Sequence, residues 1–369
     1  MRATRAIINL QHLKNNIAAV HSHTGYDHAI CMAVKADGYG HGATETAKAA
    51  YQAGVNSFGV ATVDEGIALR KSGIQSSIIL YSIPLQEEVE AMVEYDMSTF
   101  AGDLTFVKYI NKEAEKQQKT AGIHLKIDTG MGRIGCLPDD AVFLASSIAS
   151  LPNIKLEGTC THFPLADTGE QEPTAHQTEL FNTVLNRLRA EHIDPGIIHA
   201  ANSGAVISHP NSWYDMVRPG IILYGLYPDQ ALKRSLDITP IMELESRITF
   251  LKTVPAGYTI SYGSTYRTQK MTKIATIPIG YADGYNRLLS NRGKVAIKGR
   301  IYPVVGRVCM DQIMVDIGNT SSVQLYDKVT LISNRYTGVT AEDIAQEIGT
   351  IPYEITCGIS KRVPRVYIS

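Results

Sequence analysis

Short apolar runs alternate with amphipathic stretches through the first two-thirds of the chain. Eight of these runs are rich in β-branched or apolar residues, which predicts β-strands. They lie at residues 30–36, 57–62, 77–82, 98–101, 123–128, 154–161, 196–201 and 216–223. The stretches between them, such as residues 43–53 and 63–71, predict helices, and Gly54 and Gly73 stand where helix C-termini are expected.

Eightfold alternation of strands and helices is the pattern of a (β/α)8 TIM barrel. An open, doubly wound sheet shows the same alternation and stays as the alternative. From about Leu236 the chain changes to close-spaced β-branched segments punctuated by Gly and Pro, which predicts a mainly-β domain with one helix over residues 341–348 after a Thr340 cap. The predicted fold class is therefore α/β, with an N-terminal (β/α)8 barrel over residues 1–234 and a C-terminal mainly-β domain over residues 235–369.

Composition excludes several classes of protein. The formal net charge of -1 argues against a broad electrostatic grip on nucleic acid or an anionic membrane surface. The N-terminus lacks the apolar core of a signal peptide, and no stretch approaches the roughly 18 apolar residues of a membrane span. Five scattered cysteines without a C-x-x-C pair indicate neither a disulfide framework nor a metal site. We therefore expect a cytoplasmic protein that binds no metal, nucleic acid or membrane.

Candidate chemistry begins at the end of the first predicted strand, because catalytic groups of barrels cluster where strands end. Lys35 falls inside this apolar run, where loss of water would lower its pKa and favour the neutral amine that Schiff-base chemistry needs. A lysine that extends to solvent ahead of a glycine-rich turn is the alternative. The turn itself, ADGYGHG, matches neither the dinucleotide-binding nor the P-loop pattern.

Two further segments follow the seventh and eighth predicted strands. Ser203 with Gly204, and Gly220 with Ile221, stand where barrels often bind phosphate through backbone N–H groups. Asn202 or Ser203 would also cap a helix there, and capping uses the same N–H groups, so the two interpretations are compatible.

Other polar residues are ambiguous from the residues alone. His162 ends the sixth predicted strand without a second metal ligand at a suitable spacing, which favours a hydrogen-bonded structural role. Tyr262 and Met310 lie in the predicted β domain and by composition would pass as core or turn residues.

A resemblance to a known family depends on nine segments taken in order. They are AVKADGYGHG, LKIDTGMGRIG, THF, HAANSGA, VRPGI, SYG, GYADGY, VGRVCMDQ and TCGISKRVPRVY. Together they closely resemble the alanine racemase family, with family-like spacing from near the N-terminus to Tyr367. The resemblance implies a fold-type III enzyme that binds pyridoxal 5'-phosphate, in a homodimer whose active sites take residues from both chains. It also implies interconversion of L-alanine and D-alanine, which supplies D-alanine for peptidoglycan.

Carried over by position, the resemblance implies roles for individual residues. Lys35 would hold the cofactor covalently, and Tyr262 would act opposite it. The phosphate would be bound by Tyr39, Ser203, Gly220, Ile221 and Tyr353, with Asn202 beside them. Arg218 would face the pyridine nitrogen, and His162 would support Arg218 and the ring.

The resemblance also implies residues on the substrate side. Arg133 would lie near the substrate carboxylate, while Tyr262, Tyr281 and the backbone of Met310 would reach in from the partner chain. In many family members the lysine that matches Lys126 is carbamylated and steadies the arginine that matches Arg133. The presence of Lys126 permits that modification without showing it.

The implied chemistry needs two acid–base groups, because a racemase removes the α-proton from one face and returns it to the other. We expect Lys35 to serve the D-face and Tyr262 the L-face. A free tyrosine has a pKa of about 10, so Tyr262 needs a nearby positive charge, which Arg218 would supply through His162. Arg218 is effectively never deprotonated, so the ring nitrogen would stay unprotonated and side reactions would be suppressed.

Three alternatives remain open. A racemase for serine or a broader set of amino acids fits most of the same residues, although Tyr281 and Tyr353 favour a small side chain. The loop at residues 80–84 matches no family pattern and leaves Tyr81 without a role. A non-catalytic pyridoxal-phosphate carrier would resemble the barrel alone, and a barrel without cofactor is the third alternative.

Overall fold

A parallel eight-stranded sheet forms the N-terminal part of the protein, whose structure, a computed structural model, describes residues 2–319 and 322–369. After strand β1 (Arg5–Asn9), its strands are β2 (Ala29–Ala33), β3 (Ser57–Val60), β4 (Ser77–Leu80), β5 (Ser98–Ala101), β6 (Ala121–Lys126), β7 (Ile154–Cys160), β8 (Ile197–His199) and β9 (Met216–Val217). The sheet order is β8-β7-β6-β5-β4-β3-β2-β9, with all pairs parallel.

Backbone hydrogen bonds close this sheet into a barrel. The N–H of Asp215 donates to the carbonyl of Ile198 at 3.0 Å, and that of Arg218 donates to Ala201 at 2.8 Å, which joins β9 to the segment of β8. The closure confirms the predicted (β/α)8 barrel and makes the open-sheet alternative wrong.

One helix precedes the first barrel strand, and further helices follow the barrel strands. They are α1 (Leu10–Thr24), α2 (Lys35–Tyr39), α3 (Ala43–Gln52), α4 (Val63–Lys71), α5 (Val89–Glu94), α6 (Leu104–Lys116), α7 (Ala141–Ala149), α8 (Glu172–Ala190) and α9 (Ser203–Ser208). Their apolar faces pack on the barrel, as Val107 and Ile110 of α6 do, both fully buried. Among residues 2–319 and 322–369, no helix has the length and apolarity to cross a membrane.

The C-terminal part is mainly β, as predicted. Its strands are β10 (Met242–Arg247), β11 (Phe250–Val254), β12 (Thr259–Ile260), β13 (Tyr266–Arg267), β14 (Thr272–Ile277), β15 (Lys294–Ile297), β16 (Arg300–Pro303), β17 (Ile313–Asp316), β18 (Lys328–Ile332) and β19 (Arg365–Ile368). Helix α10 (Ala341–Ile348) begins after Thr340, whose side chain accepts from the Asp343 N–H, as the cap predicted. A further helix, α11 (Pro352–Cys357), carries Tyr353 and was not predicted.

The first strand of the chain belongs to the C-terminal sheet. Strand β1 pairs antiparallel with β10 and parallel with β19, in a six-stranded sheet of order β16-β15-β18-β10-β1-β19. The N-terminus thus ties the two parts of the molecule together. The predicted boundary between residues 234 and 235 lies in the connection before β10, and it stays a prediction.

The first barrel strand is shorter than predicted, which changes the setting of Lys35. Strand β2 ends at Ala33, so Lys35 does not lie inside a strand, and that prediction is wrong. The chain turns instead through α2, in which Ala36, Asp37 and Tyr39 have φ values of 52°, 54° and 53°. Three L-residues in the left-handed region form a turn of the opposite hand to an ordinary helix, which is a strained conformation.

Candidate active site

A cavity of about 550 Å³ opens at the C-terminal ends of the barrel strands. Ten of the predicted site residues line it. They are Lys35, Tyr39, Lys126, Arg133, His162, Asn202, Ser203, Arg218, Gly220 and Tyr353. The carboxyl ends of the strands are where barrel enzymes place their active sites, so the cavity is the candidate active site.

Lys35 is the first residue of the left-handed turn and faces this cavity. Burial, helped by the positive charge of Arg133, lowers the pKa of the Lys35 amine, although Glu65 acts in the opposite direction. The Glu65 carboxylate also accepts hydrogen bonds from the N–H groups of Ala36 at 2.7 Å and Ala61 at 2.8 Å. The Glu65 carboxylate therefore fixes the start of the turn, while burial and Arg133 favour the neutral form of the lysine.

The C-terminal part of the chain clamps the other end of the turn. Arg365 donates to the carbonyl of Gly40 from Nε at 3.0 Å and from Nη2 at 2.9 Å. A Cβ atom on Gly40 would collide with the backbone of Thr356 in α11, so only glycine fits between the turn and this helix. The position of Tyr39 therefore depends on contacts from both parts of the molecule.

Tyr39, Ser203 and Gly220 form one wall of the cavity. The Gly220 N–H donates to Ser203 Oγ at 2.9 Å, and a Cβ on Gly220 would lie 2.5 Å from Tyr39 Oη. The Tyr39 and Tyr353 rings lie 5.7 Å apart, so two phenols and a hydroxyl converge here. Such a donor set suits a phosphate group.

Asn202 and Ile221 support this wall from behind. Asn202 caps α9, because its Oδ1 accepts from the Ala205 N–H at 3.0 Å while its Nδ2 donates to Phe163 at 3.1 Å. The capping role expected for Asn202 or Ser203 thus belongs to Asn202. Ile221 is fully buried, so its side chain packs in the core.

Arg218 is buried in the opposite wall and makes four polar contacts. Its Nη1 donates to His199 Nδ1 at 2.7 Å, and its Nη2 donates to the carbonyls of Thr161 at 2.8 Å and Ala200 at 3.0 Å. The contact with His162 Nδ1, at 3.4 Å, is longer. The closest side-chain partner of Arg218 is therefore His199, a residue that the sequence analysis did not select.

Lys126 lies at the end of β6 and is 2% exposed. Burial lowers the pKa of its amine to about 8, with Cys160 acting the other way and Arg218 adding to the decrease. Its Nζ donates to the carbonyl of Ile127 at 3.2 Å. Arg133, by contrast, is exposed at the cavity mouth.

Tyr81, which the sequence left without a role, packs in the barrel beneath the cavity. Its ring stacks on Phe100 with centroids 5.4 Å apart, and its Oη lies 3.1 Å from Cys31 Sγ. Gly59 makes room for this ring, because a Cβ there would collide with it. Tyr81 therefore forms part of the cavity floor.

Three predicted site residues lie elsewhere on this chain. Tyr262, Tyr281 and Met310 are 70%, 42% and 52% exposed, and in the described part of the chain they are not among the residues that line the cavity. Ser261 and Gly263 flank Tyr262 with φ values of 65° and 68°, and Ser261 Oγ donates to the carbonyl of Arg307 at 2.7 Å. The loop thus presents Tyr262 outward, away from its own barrel.

Comparisons with known proteins agree with this geometry. The sequence profile of the alanine racemase N-terminal domain matches residues 8–228, and that of the C-terminal domain matches residues 241–367. The alanine racemase of Treponema denticola is 43% identical over 375 residues, which cover 100% of this chain and 99% of the relative.

Solved structures extend the comparison to the fold. The alanine racemase of Clostridium difficile 630 aligns with a TM-score of 0.95 at 40% identity, over 100% of this chain and 96% of that one. The alanine racemase of Bartonella henselae with covalently bound pyridoxal phosphate aligns with a TM-score of 0.90 at 26% identity, over 100% of both chains. With both of its domains matched and its cavity built as described, the chain belongs to the alanine racemase family.

Proposed function

We propose that the protein interconverts L-alanine and D-alanine, with pyridoxal phosphate held by Lys35 and with Tyr262 of a second copy as the opposing base. The observation that carries this proposal is the placement of Lys35 in the cavity at the barrel mouth, where burial lowers the pKa of its amine. A neutral amine is the form that attacks an aldehyde, and the lowered pKa raises the share of that form.

The residues of the cavity fit pyridoxal phosphate. Tyr39, Ser203 and Tyr353 offer hydroxyl groups for its phosphate at one end, and Gly220 leaves the space that any larger residue would fill. Lys35 supplies the amine for its aldehyde, and Arg218 supplies a donor for its ring nitrogen. When bound, the cofactor supplies a conjugated system that takes up the charge left by removal of the α-proton.

Arg218 sets the electrostatics of the ring site. A guanidinium is effectively never deprotonated in a protein, so it donates a hydrogen bond and cannot give up its proton. Arg218 therefore limits how much negative charge accumulates on the ring, which favours return of the α-proton over side reactions.

The second base comes, in this proposal, from another copy of the chain. Lys35 is placed to move the proton on one face of the substrate, while Tyr262, like Tyr281 and Met310, is exposed. A twofold dimer would bring this exposed surface over the partner's cavity, and each site would then contain both bases. Arg133 and Arg218 would supply positive charge near that tyrosine.

The substrate is a small amino acid. Arg133 at the cavity mouth is suited to a carboxylate, since a guanidinium binds carboxylates through paired hydrogen bonds. Tyr281 and Tyr353 would restrict the space for a side chain, which favours alanine; serine, or a broader set of amino acids, remains the second candidate. A carrier without catalysis is disfavoured, because the domain that bears Tyr262 is matched as fully as the barrel.

We also propose a cytoplasmic location, with the D-alanine used for peptidoglycan. The five cysteines are free thiols, which suits a reducing compartment. Lys126 is proposed to be carbamylated, since its pKa of about 8 leaves a share of neutral amine to react with carbon dioxide.

The proposal is tested by incubating purified protein with pyridoxal phosphate and L-alanine and measuring D-alanine, with L-serine in parallel. Borohydride reduction followed by peptide mass spectrometry should then place the cofactor on Lys35, and Lys35→Ala should abolish both the adduct and the activity while keeping the circular dichroism spectrum. An adduct on another lysine, or a protein that binds the cofactor and forms no D-alanine, would contradict the proposal.

A further inference from the structure

A chain of polar groups runs through the barrel from Arg218 toward the opposite end. His199 Nε2 lies 2.9 Å from His124 Nδ1, beyond the contact between Arg218 and His199 Nδ1. His124 Nε2 points toward Glu157 Oε2, 4.0 Å away, and that oxygen accepts from Ser98 Oγ at 2.5 Å. His199 is 0% exposed and His124 is 2% exposed, so water does not reach them.

The direction of these hydrogen bonds is fixed by Arg218. A guanidinium only donates, so His199 Nδ1 must accept and its proton must be on Nε2. His199 Nε2 therefore donates to His124 Nδ1, which leaves the proton of His124 on Nε2, directed at Glu157. The N–H donors of Arg218, His199 and His124 that form this series all point away from the cavity, and a reversed order would place two N–H groups against each other.

Charge and burial agree with this arrangement. Burial, together with the positive charge of Arg218, lowers the pKa of His124 to about 3 and that of His199 well below its usual value, so both rings are neutral. His124 Nε2 is buried without a hydrogen-bond partner in the described residues, and the Glu157 carboxylate lies 4.0 Å from it. A carboxylate at this end stabilises the tautomer that places the proton on Nε2.

The barrel strands are shaped around this chain. A register shift between Ile123 and His124 leaves Glu157 as an extra residue in β7, and such bulges re-aim a side chain. A Cβ on Gly158 would collide with His124 Nδ1, and a Cβ on Gly122 would collide with the Glu157 carboxylate. Two glycines and a bulge thus make space for side chains that do not line the cavity in the described structure.

We propose that His124 and Glu157 are positioning residues for the reaction, because they stabilise the tautomer of His199 that accepts from Arg218 and so hold Arg218 in the wall of the cofactor cavity. Neither residue touches the cavity, so both act through His199. The inference depends on the proposed function for its catalytic meaning, but the proton positions on the two histidines are independent of it.

Neutron diffraction from deuterated crystals of the holoenzyme tests the tautomers directly. Deuterium is expected on Nε2 of His199 and on Nε2 of His124, with Nδ1 of both rings bare. Deuterium on Nδ1 of either ring would overturn the inference, whether or not the protein racemises alanine.

Variants test the effect on the cavity. His124→Phe fills the space but leaves the His199 N–H buried without an acceptor, and His124→Gln keeps an acceptor and a donor in the same order. Since an unsatisfied buried group costs enough to release Arg218, we expect His124→Phe to raise the cofactor dissociation constant about tenfold and to shift the cofactor absorption band, and His124→Gln to stay within about twofold of the wild type.

Variants of Glu157 test the outer end of this series of hydrogen bonds, and a variant in the barrel core tests the effect of packing alone. Glu157→Leu should weaken cofactor binding about threefold, less than His124→Phe because its contact is longer, while Glu157→Gln keeps an acceptor and should be close to the wild type. Ile79→Val, a 1% exposed barrel-interior position, should lower thermal stability without changing the spectrum. Equal spectra and affinities for His124→Phe and Ile79→Val, beside a wild type that racemises alanine, would contradict this inference alone; a wild type that does not racemise alanine would contradict the proposed function instead.

Discussion

The phenolic oxygen of Tyr39 lies against Gly220, where a Cβ would be only 2.5 Å from it. Gly220 also donates its N–H to Ser203 at 2.9 Å, so one glycine places two hydroxyl groups. Gly220→Ala should therefore displace Tyr39 and raise the cofactor dissociation constant about tenfold, since small displacements in a bound site have large effects. Fluorescence titration of the apoprotein with pyridoxal phosphate measures this dissociation constant.

Two substitutions separate the crowding effect from loss of the hydroxyl. When Tyr39→Phe is added to Gly220→Ala, the cofactor dissociation constant should rise little further, because the Tyr39 hydroxyl is already displaced. If the two effects add in full, Gly220 and Tyr39 act independently and the crowding argument is wrong.

The two proposed bases should differ in the substrate enantiomer on which they act. In heavy water, Lys35→Ala should lose α-proton exchange on D-alanine far more than on L-alanine, and Tyr262→Phe the reverse, because each base faces one side of the α-carbon. Exchange is followed by proton NMR of each enantiomer, with added methylamine to restore cofactor attachment in Lys35→Ala. If both variants lost α-proton exchange equally on L-alanine and D-alanine, the assignment of each base to its own face of the substrate would be wrong.

A mixture of inactive variants should recover activity if the site is shared. A heterodimer of Lys35→Ala and Tyr262→Phe contains one site with both bases intact, so random exchange of subunits should restore about a quarter of wild-type activity. The exposure of Tyr262, 70% in the chain alone, motivates this expectation. The control mixes the Lys35→Ala variant with a double variant that carries both Lys35→Ala and Tyr262→Phe, and this mixture should stay inactive. No recovery in the first mixture would show that Tyr262 acts within its own chain.

The buried amine of Lys126 should give a pH-dependent loss of stability. Its pKa is about 8 in the folded protein and about 10.4 when unfolded, so the unfolded state holds more protons between these values and stability rises with pH across this window. Below pH 8 the penalty is fully present, so Lys126→Met should be more stable than the wild type at pH 7 by about 3 kcal/mol, and this advantage should disappear by about pH 10.5. Urea unfolding of both proteins at each pH, in buffer free of carbon dioxide, measures this difference in stability.

Carbon dioxide provides the matched condition for Lys126. With carbon-13 bicarbonate present, a carbamate resonance should appear in the wild type and be missing in Lys126→Met, because the neutral amine is the form that reacts. A stability difference that is constant from pH 7 to pH 10.5 would mean that the pKa of Lys126 is the same in the folded and unfolded states, which would contradict the prediction.

Local patterns predicted the barrel because each strand carries its own apolar run. The prediction of where β2 ends was wrong, because the left-handed turn after Ala33 is held by tertiary contacts, from Glu65 on one side and Arg365 on the other. Neither contact leaves a signal next to the turn. Strand β1 was missed for a similar reason, since five residues gain their partners only from β10 and β19, far along the chain.

Most of the cavity residues were predictable because family motifs place them at strand ends. His199 was not predicted, although it stands in the HAANSGA segment, because its role depends on contacts with Arg218 and His124, 19 and 75 positions away. A histidine within an apolar barrel strand is the one local signal, and it marks both His124 and His199. His162 was predicted to support Arg218, and the structure places His199 closer to Arg218 than His162.

The turn after Ala33 holds L-residues in angles that suit the opposite chirality. For Ala36, φ of 52° and ψ of 48° are the mirror image of ordinary helical angles, and each L-residue held there costs about 1–2 kcal/mol. A residue of the opposite chirality would occupy the same angles without strain. The protein proposed to make D-alanine therefore keeps one of its own L-alanines, directly after its candidate cofactor lysine, in the conformation that suits the D-enantiomer.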